Sequence, residues 1–461
     1  MPMELVLPEE VRDACRLLNR HRKQAFVVGG GIRDLVLGMQ PQDWDLATDA
    51  RPREVERIFG GAGFRVVPTG VKYGTVTVYM NDLPLEITTF RVESNYSDFR
   101  RPSQVNFVAD VKADLGRRDF TINALAYDPL RYHLCDPYHG MRDLIKEIIR
   151  AVGDAEERFS EDPLRMLRAV RFAAELGFSI DEKTKHAIIR NAELLNRISA
   201  ERIRDELNRL LLAPHFQRGL EYLLEFGLLF VIFPELKEGW LFSQYHPSHR
   251  YTVLAHTMEA MRYTPPILKV RLAVLLHDVA KPRCFSRGDD GRGHFYGHAL
   301  AGAEMAEQIM RRLHYSKRLI RDVVVLVREH MLALEMGPAA QRRLVARLGK
   351  ELLPHLLSVR RADILAHSLK QVVRSLDEYD VFIGRLEKTL AEKIPLVMRD
   401  LAVSGRDIME ATAVPPGPLV GKILRKLWEE VLDDPHCNSR EYLLERAKRI
   451  LERDDAGRGA G

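Results

Sequence analysis

No apolar run in the sequence approaches the roughly 18 residues needed to span a bilayer, so no transmembrane helix and no membrane partner are expected. Cysteine is scarce: Cys15, Cys135, Cys284 and Cys437 lie far apart and in no paired spacing. That excludes a disulfide framework and points to a reducing, cytoplasmic compartment. The opening "MPMELVLPEEVRDACRLL" is acidic and amphipathic rather than basic and apolar, so it is not expected to act as a signal peptide. Internal repeats and long low-complexity tracts are absent. So is a large excess of one charge: 70 Lys and Arg against 65 Asp and Glu leave +5, too little to imply a nucleic-acid partner by itself.

At 461 residues, 46% apolar and 29% charged, the chain reads as an ordinary globular protein too long for one core. Up to about residue 140, short β-rich runs ("QAFVVGG", "DWDLAT", "GTVTVYM", "LPLEITTF") alternate with helical ones. From "DAEERFSEDPLRMLRAVRFAAELGF" onward the periodicity is helical, punctuated by Gly and Pro. The expected class is α+β: a head with a mixed sheet and helices, then an all-helical body. The expected divisions are 1–145, 146–238, a histidine-rich block at 239–370, and 371–461. Arginine clusters in "FRRPSQ", "LGRRDF", "LRMLRAVRF" and "AERIRDELNR", and those clusters inform more than the total.

Three glycines follow the apolar run Phe26–Val28 in "FVVGGGIRDLVLGMQPQDWDLATDA". Glycines after a strand let backbone N–H groups approach a phosphate without interference from Cβ. The pattern is neither GxGxxG nor a Walker loop, because no Gly-Lys-Ser/Thr follows. In "DWDLAT" the alternation of a strand puts Asp43 and Asp45 on one face and Trp44 on the other. Two carboxylates so placed can share Mg²⁺ ions, whose remaining ligands are waters and substrate phosphates. A bare Asp-x-Asp also describes an outward surface strand; its place directly behind "VGGGIRD" is what favours the metal.

"VVGGGIRDLVLGMQPQDWDLAT" resembles the signature of the class II tRNA nucleotidyltransferase and bacterial poly(A) polymerase family, within the polymerase β superfamily. The resemblance continues through "RRDFTINALAYD", "SEDPLRMLRAVRFAAELGF" and "ISAERIRDELNRLL" and covers nearly the whole chain. It implies a polymerase-β-type head, with Gly30 and Arg33 on the triphosphate and Asp43 and Asp45 as metal carboxylates. Superfamily members often use a third carboxylate, for which Glu86 in "PLEITTF" is the candidate; an ordinary strand glutamate is the alternative.

In "EDPLRMLRAVRF", Asp162, Arg165, Arg168 and Arg171 recur at three-residue steps, the spacing of a shared helix face. A salt-bridged, solvent-facing helix would look the same. Yet an aspartate can accept from the exocyclic amine of cytosine or adenine while an arginine donates to the adjacent ring acceptor. Uracil and guanine present the opposite polarity and would leave buried groups unpaired. The resemblance implies this base-reading role for Asp162 and Arg165, with Arg168 and Arg171 toward base or phosphates. It also places Arg117, Arg118 and Asp119 around the triphosphate and the base-reading helix. Residues 91–115 form a polar stretch with little periodicity, expected as a long functional loop. It resembles the flexible loop by which complete CCA-adding members pass from C to A addition, and leaves full CCA and A-only addition both open.

The histidine-rich block supplies His256, His277, Asp278, His298, His330 and Asp363 in order. A mixed nitrogen and oxygen set suits a divalent transition metal or Mg²⁺. The order H…HD…H…H…D resembles the metal-dependent HD phosphohydrolases, which makes 239–370 an HD-type helical domain with a possible second metal. A lone helical histidine is usually core; the full set favours the metal. The expected activity is template-independent addition of CCA to the tRNA 3′ end from CTP and ATP, with Mg²⁺. Residues 146–238 would be a nucleotide-reading neck, and 371–461 a tRNA-binding region. The alternatives are an A-adding enzyme or poly(A) polymerase, and, from another class, an HD phosphodiesterase with a regulatory nucleotide-binding head.

Overall fold

The computed structural model describes residues 4–96, 102–245, 251–391 and 396–458. The chain forms two compact units, Met1–Pro234 and Glu235–Gly461. In the first, α1 (Glu9–Arg20) buries Val11, Ala14, Cys15 and Leu18, the i, i+3, i+4, i+7 stripe of an amphipathic helix. Burial pushes the Cys15 thiol up to about 12, so it is packing material and no nucleophile.

The chain then lays down β1 (Ala25–Val28), α2 (Gly30–Val36), β2 (Trp44–Thr48), α3 (Pro52–Gly61), β3 (Arg65–Gly70), β4 (Thr75–Met80) and β5 (Leu83–Thr89). Next come β6 (Arg91–Tyr96), β7 (Pro102–Phe107), α4 (Val111–Gly116), β8 (Ala126–Asp128), β9 (His133–Cys135) and α5 (Gly140–Ile145). One mixed sheet has the order β3-β4-β5-β2-β1-β8-β9. Within it β2 and β5 are parallel and the other neighbours antiparallel. Phe26, Val28, Ala47 and Phe90 pack with Leu115, Ala126 and Val152 as one of its cores.

The stretch 91–115 differs from the expected loop. It is a two-stranded antiparallel ladder of β6 and β7 leading into α4, with residues 97–101 outside those described. Val92, Asn106 and Phe107 are exposed. A short ladder held by backbone hydrogen bonds carries little of the apolar alternation that marks a strand in sequence.

The helical remainder of this unit begins after β10 (Ile148–Ile149), which pairs in parallel with β11 (Ser179–Ile180). Its helices are α6 (Ala155–Glu161), α7 (Leu164–Leu176), α8 (Glu182–Asn191), α9 (Ala200–Leu212), α10 (Phe216–Glu225) and α11 (Leu228–Ile232). Asp154 caps α6 by accepting from the Glu156 and Glu157 amides, and α7 stops at Gly177, whose φ of 74° is left-handed.

Among the described residues the second unit is helical apart from a hairpin ladder of Ser286–Arg287 with Gly293–His294. It contains α12 (Val253–Met261), α13 (Leu268–Leu276), α14 (His298–Arg312), α15 (Lys317–Glu329), α16 (Pro338–Leu348) and α17 (Leu353–Leu365). It ends in α18 (Leu369–Ala391), α19 (Gly405–Thr412), α20 (Pro418–Asp433) and α21 (Arg440–Arg458). The last three share a core around Ile408, Ile423, Leu427 and Leu443. Among the described residues no helix is long and apolar enough to cross a membrane.

Candidate active site and histidine cluster

Gly29 sits between β1 and α2 at φ 77°, where a side chain would be strained. A Cβ there would also lie 2.9 Å from Arg118 Nη1 and 3.3 Å from Asp45 Oδ2. Only glycine lets the turn pass this close to both. Gly31 is needed for packing, since its Cβ would press on the Asp43 carbonyl at 3.3 Å and the Trp44 ring at 3.5 Å. Trp44 is buried behind the sheet, which turns Asp43 and Asp45 to the other side. Both carboxylates line a cleft of about 660 Å³ together with Gly30 and Arg33.

Asp45 pairs across the parallel β2–β5 ladder with Glu86. Burial, with smaller contributions from Glu86 and Asp43, pushes the Asp45 carboxyl up to about 6 against the pull of Arg118. Asp45 in this raised state, with Asp43 and Glu86 beside it at a glycine turn, fits a divalent cation, which would favour its ionised form.

Asp119 ties the head to the neck helices. Burial alone would raise its pKa, but Arg168 donates to it from Nε at 2.9 Å and Nη2 at 2.7 Å, and Asn123 Nδ2 donates at 3.1 Å. The carboxyl is held at about 2. Asn123 in turn accepts from Arg33 Nη1 at 2.9 Å, while Arg33 Nε and Nη2 donate to Asp34. On the other side Arg168 and Arg171 share Glu206, and Arg171 also donates to both oxygens of Glu175. Arg33, Asn123, Asp119, Arg168, Glu206 and Arg171 thus form one continuous polar chain from the glycine turn to α7. The sequence reading missed Asn123, Glu206 and Asp34; the recurrence of a carboxylate near each arginine cluster was the available signal.

The expected helical row starting at Asp162 is corrected. α6 ends at Glu161, and Asp162 is extended (φ −141°, ψ 96°) before Pro163 and α7. A residue preceding proline is driven out of the α region by the pyrrolidine ring, and "EDPL" therefore breaks the helix. Arg165, Arg168 and Arg171 do share α7. The side chains of Asp162 and Arg165 are not paired with each other, although the Arg165 amide donates to the Asp162 carbonyl at 2.9 Å. Asp162 Oδ1 accepts the Leu164 amide and Oδ2 meets Arg202 Nη2 at 2.7 Å. Arg165 is buried, bonded to Glu161 at 2.6 Å and to the carbonyls of Arg158 and Arg117. Both residues nevertheless line a second cavity of about 350 Å³ with Glu86, Arg117 and Arg202. Asp45, Arg118, Asp119 and Arg168 border both cavities. Arg118 is largely buried, which pushes its pKa down, with Asp114 Oδ2 at 3.8 Å from Nη2.

In the second unit, α12, the end of α13, α14, the end of α15 and α17 bring together all six expected residues. His277, His298 and His330 each donate Nδ1–H to the carbonyl three residues earlier, at 2.7 Å, and His256 Nδ1 donates to Ala366 at 3.3 Å. A carbonyl can only accept, so these bonds put a proton on each Nδ1 and turn each Nε2 into the cluster, where His256 Nε2 meets Asp363 at 3.0 Å and His298 Nε2 meets His330 Nε2 at 3.2 Å. The Nε2 atoms of His256, His277, His298 and His330 lie 3.8, 3.1, 3.6 and 3.7 Å from an oxygen of Asp278, and His256 Nε2 is 3.0 Å from Asp363.

Neither Asp278 oxygen makes a hydrogen bond of normal geometry, although Lys281 Nζ is 2.7 Å from Oδ2, and His277 Nε2 makes none. Burial opposes ionisation of Asp278, but His277 and Lys281 hold it well below the usual carboxylate range. Burial and His277 push His330 down to about 3, keeping it neutral. Buried donor atoms converging in threes, those of His277 Nε2 and Asp278 without a hydrogen-bond partner, fit a metal ion: His256, His277 and Asp278 on one side, Asp278, His298 and His330 on the other. His367, which the sequence reading passed over, forms a third such group with His256 and Asp363. A cavity of about 360 Å³ opens onto the cluster, bordered by Lys281 and Arg360.

This mixed sheet, with one carboxylate on β2 and another just before it behind a glycine turn, defines a nucleotidyltransferase-type head. Residues 25–150 match the family model for the Poly A polymerase head domain, 177–239 a model for an RNA- and SrmB-binding site of polymerase A, and 298–447 a model for tRNA nucleotidyltransferase domain 2. The CCA-adding enzyme of Geobacillus sp. (strain WCH70) is 35% identical over 432 residues, 93% of each chain. That of Ligilactobacillus salivarius (strain UCC118) is 32% identical over 97% of this chain and 98% of its own. The crystal structure of the Bacillus stearothermophilus CCA-adding enzyme in complex with CTP superposes with a TM-score of 0.70 at 28% identity, covering 97% of this chain and all of that one. The chain belongs to the family of CCA-adding enzymes.

Proposed function

We propose that the first unit adds C and A nucleotides from CTP and ATP to the 3′ end of tRNA, without a template, releasing pyrophosphate. The observation that carries this is Asp45, flanked by Asp43 and Glu86 and bordering both a glycine-turn cleft and a cavity lined by Asp162 and Arg165. Asp43, Asp45 and Glu86 would hold divalent cations, Mg²⁺ by the hardness of the donors, which supply activation of the RNA 3′ hydroxyl and neutralisation of the leaving pyrophosphate. Gly30, Arg33, Arg118 and Arg171 bind the triphosphate, and Asp119 holds Arg168 in register with them. The helical regions 146–238 and 371–461 grip the tRNA by shape and phosphates, as is usual for RNA helices. Incubation with tRNA lacking one, two or three terminal nucleotides should give addition of A, of CA and of CCA. Extension only of tRNA already ending in CC would make it an A-adding enzyme.

Arg165 and Asp162 read the base edge in this scheme, and nucleotide arrival exchanges their present partners, Glu161 and Arg202, for the base. Arg165→Ala is then expected to relax selection more than it weakens triphosphate affinity. A site built to hydrogen-bond its substrate can discriminate by roughly 10⁴-fold, and most of that margin against UTP and GTP should go. Unchanged relative incorporation of UTP and CTP would remove Arg165 from this role.

A second activity has its own observation: four histidine Nε2 atoms preset around Asp278. We propose that the second unit binds a divalent metal through His256, His277, Asp278, His298, His330 and Asp363 and hydrolyses phosphate esters there.

A further inference from the structure

Three arginines that line the cleft converge on one aromatic ring. The guanidinium carbons of Arg171, Arg33 and Arg168 lie 4.0, 5.0 and 5.4 Å from the centroid of Phe172, within the range of cation–π attraction. Phe172 is buried and lines the large cleft. Its own ring is fixed by the edge of Phe120, at 5.8 Å and 83°. Phe120 follows Asp119, the partner of Arg168, so two separate segments of the chain end in aromatics that meet at this point.

Like charges this close repel, and each guanidinium is also drawn away by a carboxylate: Arg33 by Asp34, Arg168 by Asp119, Arg171 by Glu175 and Glu206. Carboxylates fix the edges of the guanidiniums but leave their faces unrestrained. The Phe172 ring is a common attractive contact for all three. An aliphatic side chain of similar size would fill the space without attracting any of them.

We propose that Phe172 is a positioning residue for nucleotide binding: its ring holds Arg33, Arg168 and Arg171 at the spacing that receives the triphosphate. This rests on the reading of the cleft as the triphosphate site. The role is electrostatic, so it separates from packing. Replacing Phe172 by phenylalanines carrying one, two, three and four ring fluorines weakens the negative ring face at nearly constant volume. Affinity for inorganic triphosphate, measured by competition against CTP addition, should fall stepwise by roughly three- to tenfold in all. The KM values for CTP and ATP should rise in parallel. kcat, the C-to-A preference and the unfolding midpoint should hold. Phe172→Leu should lose the affinity, and Phe172→Trp should keep more of it.

Arg33→Ala and Arg171→Ala serve as the control. If neither weakens inorganic triphosphate, the cleft is not the triphosphate site and the proposal falls with that reading. If both weaken it while the fluorinated series stays flat, the cleft stands and the role of Phe172 is overturned.

Discussion

Asp45→Ala is expected to lower nucleotide addition at least about a thousandfold while leaving tRNA affinity within a factor of about two, because this carboxylate serves the reaction centre and not the RNA grip. Asp43→Ala should behave alike. Addition dependent on Mg²⁺ and close to the wild-type rate in either variant would reassign the strand. Asp45 carries a second expectation, from the environment that raises its pKa to about 6 above the ordinary 3.8. The fold favours the protonated carboxyl, so this contribution to stability is intact below about pH 4 and is lost as the pH rises through about 6. Asparagine stays neutral throughout. Metal-free Asp45→Asn should therefore melt above the wild type at about pH 8, and the two should converge at about pH 4. Equal melting temperatures at both pH values would show that burial and the neighbouring carboxylates do not strain this site.

Joint replacement of His277 and Asp278 by Ala is the other change of large effect. It should eliminate hydrolysis of a 2′,3′-cyclic nucleotide with added Ni²⁺, Mn²⁺ or Mg²⁺ and leave CTP incorporation in place, since Asp43 and Asp45 belong to the other compact unit. Metal readout does not depend on turnover. Metal at a hundred times its dissociation constant stabilises a fold by about 2.7 kcal/mol, so the wild-type second unit should melt higher with metal than with chelator. The double variant should not respond. If the six residues are only core, metal will not shift the wild-type transition, and the variant will lose both activities together through unfolding. Metal binding without hydrolysis of any ester would reduce the cluster to a structural centre.

The sequence made the head and the helical body legible because each rests on a short-range pattern. "VVGGGIRD" and "DWDLAT" announce a strand, a turn and a second strand through glycine and alternation, and β1, α2 and β2 lie at those positions. Glu86 could only be guessed at. Its place opposite Asp45 follows from parallel pairing of β2 with β5, a long-range contact with no local mark. Pro163 was visible and decisive, yet the three-residue spacing of charges suggested one helix where the proline makes two. Partners of Asp162 and Arg165 were beyond reach for the same reason as Glu86: Arg202 and Arg117 come from other elements. The histidines were found because the residue types are rare together. Their common tautomer was not, because it depends on carbonyls that only folding delivers.

Asp45 stands between two chambers, and that has a consequence for traffic during repeated addition. On the proposed reading one nucleotide spans both, its triphosphate in the glycine-turn cleft and its base against Arg165, with the reacting phosphate beside Asp45. Each addition then vacates both chambers, the pyrophosphate leaving the one and the joined base the other, before the next nucleotide can enter.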